Sequence, residues 1–360
     1  MEHELMGKLQ AKVVAWRHGN PARALKLIAV AGGRGKTTTI LLLGEMLQEA
    51  GKSVLVLTNQ GCLLNGKSVT SQRYDASASS LQYYLGLGKK NNVEYVIIEI
   101  TSALIDSHVL PTLPIEMSIV TNDASTMKAL LDQPANYLVV PSGFDTTMQT
   151  VASHQVINFG MDESADAQLA HVVERRRGTE IGLIIDHQTK LSVATYLIGQ
   201  ANALNVTAAV SAAYVLAADT STFEEGVARL ERVPGNYDYL PTGDALYEVV
   251  VDGANTEESL KLVLASAAKL KKRRLMVALD ITVPKEFYSQ VKEVADRLIV
   301  VNESVTLPGV ELADSPRAAI DILKRGAKRE DLILLLGREF AQVNEDATTK
   351  AHTLLEESGE

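Results

Sequence analysis

The hydrophobic positions of this chain fall into short apolar runs separated by stretches with a helical repeat. The first run is Leu27-Ile28-Ala29-Val30. A glycine turn follows, then a stretch in which Leu41, Leu42, Met46 and Leu47 recur on one side until Gly51, and then a second run over residues 53–57. Short apolar runs bounded by turn residues predict buried strands, and a three-to-four spacing predicts a helix. Further strands are predicted at 95–100, 117–122, 137–142 and 156–160. Residues 1–24 predict a helix and a turn broken at Asn20-Pro21, residues 60–80 a loop or irregular hairpin, and residues 80–90 a helix. Over 174–196 the pattern changes to alternation on either side of Asp186-His187-Gln188-Thr189, which predicts an antiparallel hairpin at the far side of the sheet. A small-residue-rich helix is expected over 202–218 and a second over 222–230.

Val233-Pro234-Gly235-Asn236 predicts a hinge, after which the periodicity restarts. Strands at 247–252, 274–279, 298–301 and 331–336 alternate with helices at 256–270, 285–296, 315–325 and 339–357. Thr256 is the expected N-cap of the first of these helices, with Glu257 and Glu258 in its first turn. Strands alternating with helices mean a parallel sheet. The expected fold is therefore α/β: a P-loop nucleotide-binding parallel-sheet domain followed by a smaller Rossmann-like α/β domain. The expected divisions are a helical lead-in at 1–24, a central domain at 25–233 and a C-terminal domain at 236–360.

The glycine turn is where chemistry enters. Gly32-Gly33-Arg34-Gly35-Lys36-Thr37-Thr38 lies between a strand and a helix, the context a phosphate-binding loop requires. Glycines let backbone N–H groups turn inward around a phosphate, and the helix N-terminus adds partial positive charge. Lys36 can reach the terminal phosphates, and the Thr37 hydroxyl can hold Mg²⁺. The longer spacing G-x-x-x-x-G-K-[ST] fails because Val30 stands at its first position, and the shorter G-x-x-G-K-T is present instead. The competing interpretation is an ordinary glycine-rich strand-to-helix turn. Glu99 ends the strand at 95–100, beyond which ligands bind in open α/β sheets. A carboxylate there either helps Thr37 hold Mg²⁺ or is a solvated strand-end charge. Asn202 and Asn205 share one face of their helix.

Composition narrows the setting. The chain has 360 residues, 46% of them hydrophobic, enough for two or three domains, and its formal net charge of −9 argues against nucleic acid as a partner. The single cysteine, Cys62, rules out an internal disulfide and a cysteine zinc site and reads as a plain loop or half-buried thiol. The first sixteen residues lack the apolar core of a signal peptide, and no apolar run approaches the ~20 residues of a membrane span, so no membrane association and a cytoplasmic location are expected. The basic run through Lys271, Lys272, Arg273 and Arg274 closes a helix, and Arg175-Arg176-Arg177 reads as a solvated face.

Taken together, these residues resemble the Mur ligase family, and most nearly its UDP-N-acetylmuramoyl-tripeptide synthetase branch. The resemblance rests on an ordered set. Gly32 to Thr39 is similar to the family's short G-T-N-G-K-T-T loop, Glu99-Ile100-Thr101-Ser102 and Thr121-Asn122 to its E-V-S-S and T-N strand ends. Gly199 to Asn205 is similar to G-x-x-N-x-x-N, and Val233-Pro234-Gly235 with Val251 to Thr256 to its V-P-G-R and V-D-Y-A-H-T junction. The resemblance implies an ATP- and Mg²⁺-dependent ligase. ATP phosphorylates a carboxylate, and an amine attacks the acyl phosphate to form an amide. It implies catalytic roles for Lys36 and Glu99, a nucleotide cradle in residues 32–38, Mg²⁺ on Thr37 and Glu99, adenine contact from Asn205 beside Asn202, and ribose contact from Asp252. Its substrates would be a small carboxylate and an amine, an amino acid or peptide.

The departures from the family pattern are specific. The N-terminal UDP-sugar domain has no counterpart in residues 1–24, which leaves room for a protein partner that supplies a substrate domain. Ala103 stands at a histidine position, Asn236 at an ATP-contacting arginine and Asn255 at another histidine. After Thr121-Asn122 the histidine-rich segment is replaced by residues 123–128, with Lys128 either the counterpart of a carbamylated lysine or a surface lysine. No D-N-P-R motif occurs near Asn302-Glu303-Ser304. His108 matches a family position but is equally a loop histidine. Three readings stay open: a ligase acting on a substrate other than UDP-muramoyl peptide or on one held by a partner; a non-catalytic nucleotide-binding or regulatory protein; and a P-loop ATPase or kinase of another family.

Overall fold

A computed structural model describes residues 2–69, 74–122, 125–145, 155–175, 178–217, 220–240, 242, 246–254, 256–301 and 307–341. The chain divides into two compact units, one of residues 1–196 and 200–231 and the other of residues 197–199 and 232–360.

The first unit opens with helix α1 (Glu2–Arg17) and a short 3-10 turn (Pro21–Ala24). Strand β1 (Lys26–Ala31) then runs into the glycine loop, helix α2 (Lys36–Glu49) and strand β2 (Val54–Thr58). The hairpin expected over 60–80 is β3 (Gly61–Leu64) with β4 (Lys67–Ser68), and residues 70–73 lie outside the described residues. Helix α3 (Ala78–Lys90), capped by Ser77, leads to β5 (Tyr95–Glu99), α4 (Ser102–Asp106), β6 (Ile115–Val120), α5 (Ser125–Leu131), β7 (Ala135–Pro141) and β8 (Gln155–Gly160). The antiparallel strands β9 (Ala167–Arg175), β10 (Gly178–Ile185) and β11 (Thr189–Thr195) follow, then α6 (Gln200–Ala217) and α7 (Phe223–Arg229).

Among the described residues these strands form one sheet in the order β11-β10-β9-β8-β7-β6-β1-β5-β2-β3-β4. Its central strands are parallel, and the two antiparallel stretches sit at the edges. β1, β2 and β5 are buried along almost their whole length, as parallel strands covered on both faces must be. β1 lies between β5 and β6, with Val30 beside both Glu99 and Ile119. The chain leaves β1 toward β2 on one side and leaves β5 toward β6 on the other. That reversal of direction is where open α/β sheets bind ligands. Helix α6 is buried all round over residues 206–213, and its polar members are satisfied internally: Thr207 and Ser211 donate to the carbonyls of Ala203 and Thr207 at 2.8 and 2.7 Å.

The second unit contains β12 (Asp238–Leu240), β13 (Glu248–Asp252), α8 (Glu257–Leu270), β14 (Leu275–Leu279), α9 (Tyr288–Val294), β15 (Arg297–Val301), β16 (Val310–Ala313), α10 (Pro316–Gly326) and β17 (Leu332–Leu336). Their order is β12-β13-β17-β14-β15-β16, parallel except for β12. Thr256 caps α8 in a reciprocal capping box with Ser259. The helix expected over 285–296 is shorter: a 3-10 turn at Lys285–Phe287 follows Pro284 before α9 begins. Asp280, fully buried at the end of β14, accepts the backbone amides of Glu339 and Phe340 at 2.7 and 3.1 Å, anchoring the start of the last helical turn. Beyond residue 341 the helix expected over 339–357 lies outside the described residues.

Candidate nucleotide site

The phosphate loop occupies the C-terminal end of β1. Gly32 has φ 142° and Gly35 φ 80°, values that L side chains rarely adopt. Space forbids a side chain as well: a Cβ on Gly32 would overlap the Thr121 hydroxyl, and one on Gly35 would overlap the Asn205 amide oxygen. Gly35 is the N-cap of α2 and brings no side-chain acceptor to the helix start. The first turn of α2 therefore presents its amides and its positive dipole end to whatever occupies the loop.

Lys36 donates to the Gly32 carbonyl at 2.8 Å, and its ammonium lies 3.8 Å from the Glu99 carboxylate. Glu99 is 3% exposed and also accepts the Thr37 hydroxyl at 3.5 Å and the Asn59 amide at 3.1 Å. Two elements far apart in sequence, α2 and β5, thus place a lysine, a threonine and a carboxylate around one point. The sequence singled out all three, and the register of β1 with β5 brings them together.

The loop is also tied to the end of β6. Asn122 accepts the amides of Gly33 and Arg34 at 2.6 and 3.2 Å and donates back to the Arg34 carbonyl at 3.2 Å. The Thr121 hydroxyl donates to the same carbonyl at 2.5 Å, and the Gly32 amide reaches the Thr126 hydroxyl at 3.3 Å. The bonding role of this T-N pair, and Thr126 altogether, went unread in the sequence. The one signal available was a pair of short polar residues at a strand's carboxyl end.

The residues present suit a nucleotide phosphate with Mg²⁺. One guanidinium nitrogen of Arg34, Nη1, is buried without a hydrogen-bond partner among the described residues, a donor that an anion's oxygens would satisfy. The Thr37 hydroxyl and Glu99 carboxylate are oxygen donors of the kind hard divalent cations take.

Residues 30–126 match the Mur ligase middle domain. That stretch, which carries the phosphate loop, Glu99 and Asn122, is similar to the middle domain of the Mur ligases. It is 22% identical over 286 residues to the UDP-N-acetylmuramoyl-L-alanyl-D-glutamate–2,6-diaminopimelate ligase of Syntrophomonas wolfei, covering 74% of this chain and 58% of that protein. To the Clostridium botulinum protein of the same name it is 22% identical over 363 residues, covering 95% of this chain and 72% of the other. The chain thus spans less than two thirds of the first of these relatives. Among solved structures, the Mycobacterium tuberculosis folylpolyglutamate synthase complexed with ADP superposes with a TM-score of 0.75 at 13% identity, over 96% of this chain and 98% of the other. That likeness shows the shared fold.

The remaining expected residues have definite places. Asn202 is buried on α6 and accepts the Asn205 amide at 3.3 Å; Asn205 in turn lies against the loop at Gly35. Thr38 is buried in the first turn of α2. Asp252, in the second unit, is 2% exposed, and its two carboxylate oxygens accept the amides of Tyr237 and Ala254, both at 2.8 Å. In this state it braces the turn that follows Gly235. Lys128 is exposed on α5. His108, left-handed at φ 55°, packs against Gly7 of α1, so its place is under the N-terminal helix. Asp123, Ala124, Asn255 and residues 302–306 lie outside the described residues.

Proposed function

We propose that the protein is an ATP-dependent carboxylate–amine ligase of the Mur ligase type, forming an amide bond through an acyl phosphate in cell-wall peptide metabolism in the cytoplasm. The observation that carries this reading is the convergence of Lys36, Thr37 and Glu99 on a glycine loop at the reversal point of the sheet. ATP with Mg²⁺ supplies the phosphoryl group that activates the carboxylate. Lys36 exchanges the Gly32 carbonyl for phosphate oxygens and, with the loop amides, stabilises negative charge during transfer. Thr37 and Glu99 hold the metal ion. Asn205 and Asn202, next to the loop, face the nucleoside side of the same ligand. The substrates are a small carboxylate and an amine, an amino acid or peptide.

Incubation with ATP, Mg²⁺ and pools of carboxylates and amino acids, with ADP release as the readout, tests the proposal. Amine-dependent ADP release that is lost in Lys36→Ala and Glu99→Ala supports it. Nucleotide binding without turnover under every pool overturns it in favour of a regulatory nucleotide-binding protein. One observation favours that second reading: Lys128, the candidate for a carbamylated metal ligand, is exposed.

A further inference from the structure

The first unit holds a second polar cavity, at the end of the sheet away from the phosphate loop. It measures about 340 Å³ and is lined by Lys12, Asn20, Arg23, Gln82 and Thr112, with Ala15 and Ala22 as its apolar wall. Four elements form it: α1, the 3-10 turn that leads into β1, α3, and the 3-10 turn at Leu110–Thr112 before β6. β1 separates it from the phosphate loop by a strand of six residues, about 20 Å at the usual rise. The volume is within the range of small-molecule sites.

Gln82 is the informative residue. It is 1% exposed, and among the described residues its side-chain oxygen has no hydrogen-bond partner. Its neighbours on α3, Leu81, Tyr84 and Leu85, are buried residues that pack into the core. A buried amide with an unmade bond is unfavourable, so its presence beside an open cavity points to a ligand that donates to it. Lys12 and Arg23 are exposed at the same cavity and bring two positive charges. Thr112 is partly occupied, its hydroxyl donating to the Val109 carbonyl at 2.6 Å. Asn20, left-handed at φ 46°, sets the bend that lets α1 and the 3-10 turn enclose the space.

We propose that this cavity is a binding site for a small metabolite carrying an oxyanion, held by Lys12 and Arg23, and a neighbouring hydroxyl or amino donor, received by Gln82. Phosphate esters and hydroxycarboxylates share that chemistry. The site is separate from the nucleotide loop and uses none of its residues.

Calorimetric titration of the full chain with glycerol 3-phosphate, malate and inorganic phosphate tests it. The expected result is saturable one-to-one binding of glycerol 3-phosphate or malate with a Kd at or below about 1 mM, weakened at least about tenfold both in Gln82→Leu and in the double variant Lys12→Ala/Arg23→Ala. Binding of glycerol 3-phosphate alone assigns the anion as phosphate, and binding of malate alone assigns it as carboxylate. Lys36→Ala, which alters the phosphate loop, should bind the same probe with unchanged affinity. The surface double variant keeps the test decisive if Gln82→Leu does not fold. Absence of saturable binding by all three probes overturns the proposal, as does binding that survives Gln82→Leu or is lost in Lys36→Ala.

Discussion

Gly35 and Asn205 lie so close that a single methyl group on the glycine would overlap the asparagine's amide oxygen. They are 170 residues apart in sequence, and the contact joins the phosphate loop to the buried helix α6. Gly35→Ala should therefore do two things. The left-handed φ of 80° adds backbone strain of about 1–2 kcal/mol, and the overlap pushes the loop off α6. Denaturant unfolding should show the loss of stability, and titration with an ATP analogue should show affinity falling by at least about a hundredfold, since a displaced loop forfeits several phosphate contacts. Adding Asn205→Ala removes the overlap but not the strain, so rescue should be partial.

Lys36 and Glu99 should separate the roles of charge and metal. Lys36→Met should abolish nucleotide binding with and without Mg²⁺. Glu99→Gln should retain metal-free binding while losing most of the gain that Mg²⁺ gives the native protein. Parallel titrations with and without the ion check this, and equal losses under both conditions in Glu99→Gln would refute the metal role.

Asn122 should control how fast the loop opens. It is the acceptor for the Gly33 and Arg34 amides, at 2.6 and 3.2 Å. In Asn122→Ala those two amides should exchange with solvent at least about tenfold faster, because their opening no longer breaks a hydrogen bond. Amides of β1 should be unaffected. Hydrogen exchange read by mass spectrometry or NMR decides the matter.

The phosphate loop was legible in the sequence because its information is local: strand, glycines, Gly-Lys-Thr and helix follow one another within twenty residues. Glu99 was legible because the end of an apolar run is a place as well as a residue. The partners of the loop were not, since Thr121, Asn122 and Thr126 reach it across 87 to 94 positions. The same holds for β9 and for the edge strands of the second sheet, β12 and β16. β12 and β16 have three and four residues, too few for a period to show, and β9 is so exposed at alternate positions that it reads as surface. Gln82 hides between apolar neighbours, and nothing in the sequence marks its oxygen as unbonded.

Acid should loosen the second unit at Asp331. Burial pushes this carboxyl upward, but the Arg274 guanidinium at 2.5 Å, the Lys328 amide and Arg273 outweigh it and hold it below its ordinary value of 3.8. A depressed carboxyl stabilises the fold above the unfolded value, and that contribution is lost as pH falls below about 4. Arg274→Met, which leaves the buried charge with fewer partners, should cost roughly 2–3 kcal/mol, discounted for the partly exposed arginine. It should also move the acid transition to higher pH. Urea unfolding at pH 7 and an acid titration followed by circular dichroism measure the two effects.

Cys62 should be inert while the protein is folded. It is buried on β3, and that burial, eased a little by a bond with Tyr84, pushes its thiol up to about 11. At pH 8 only on the order of one molecule in a thousand carries the thiolate. Labelling by iodoacetamide should therefore follow unfolding in denaturant; rapid labelling of the native protein would place the thiol outside the core.

The bonds from Asn122 to the loop carry one more implication. With Gly33 and Arg34 already held by an amide oxygen and Lys36 already on a carbonyl, an arriving polyphosphate must evict internal tenants before it can settle. Binding is then a substitution rather than an addition. A lone chloride or sulfate, with no second anionic group to pull with, gains too little to displace them. The loop thereby sets a threshold that favours long, highly charged phosphate chains over the small anions that crowd every cell.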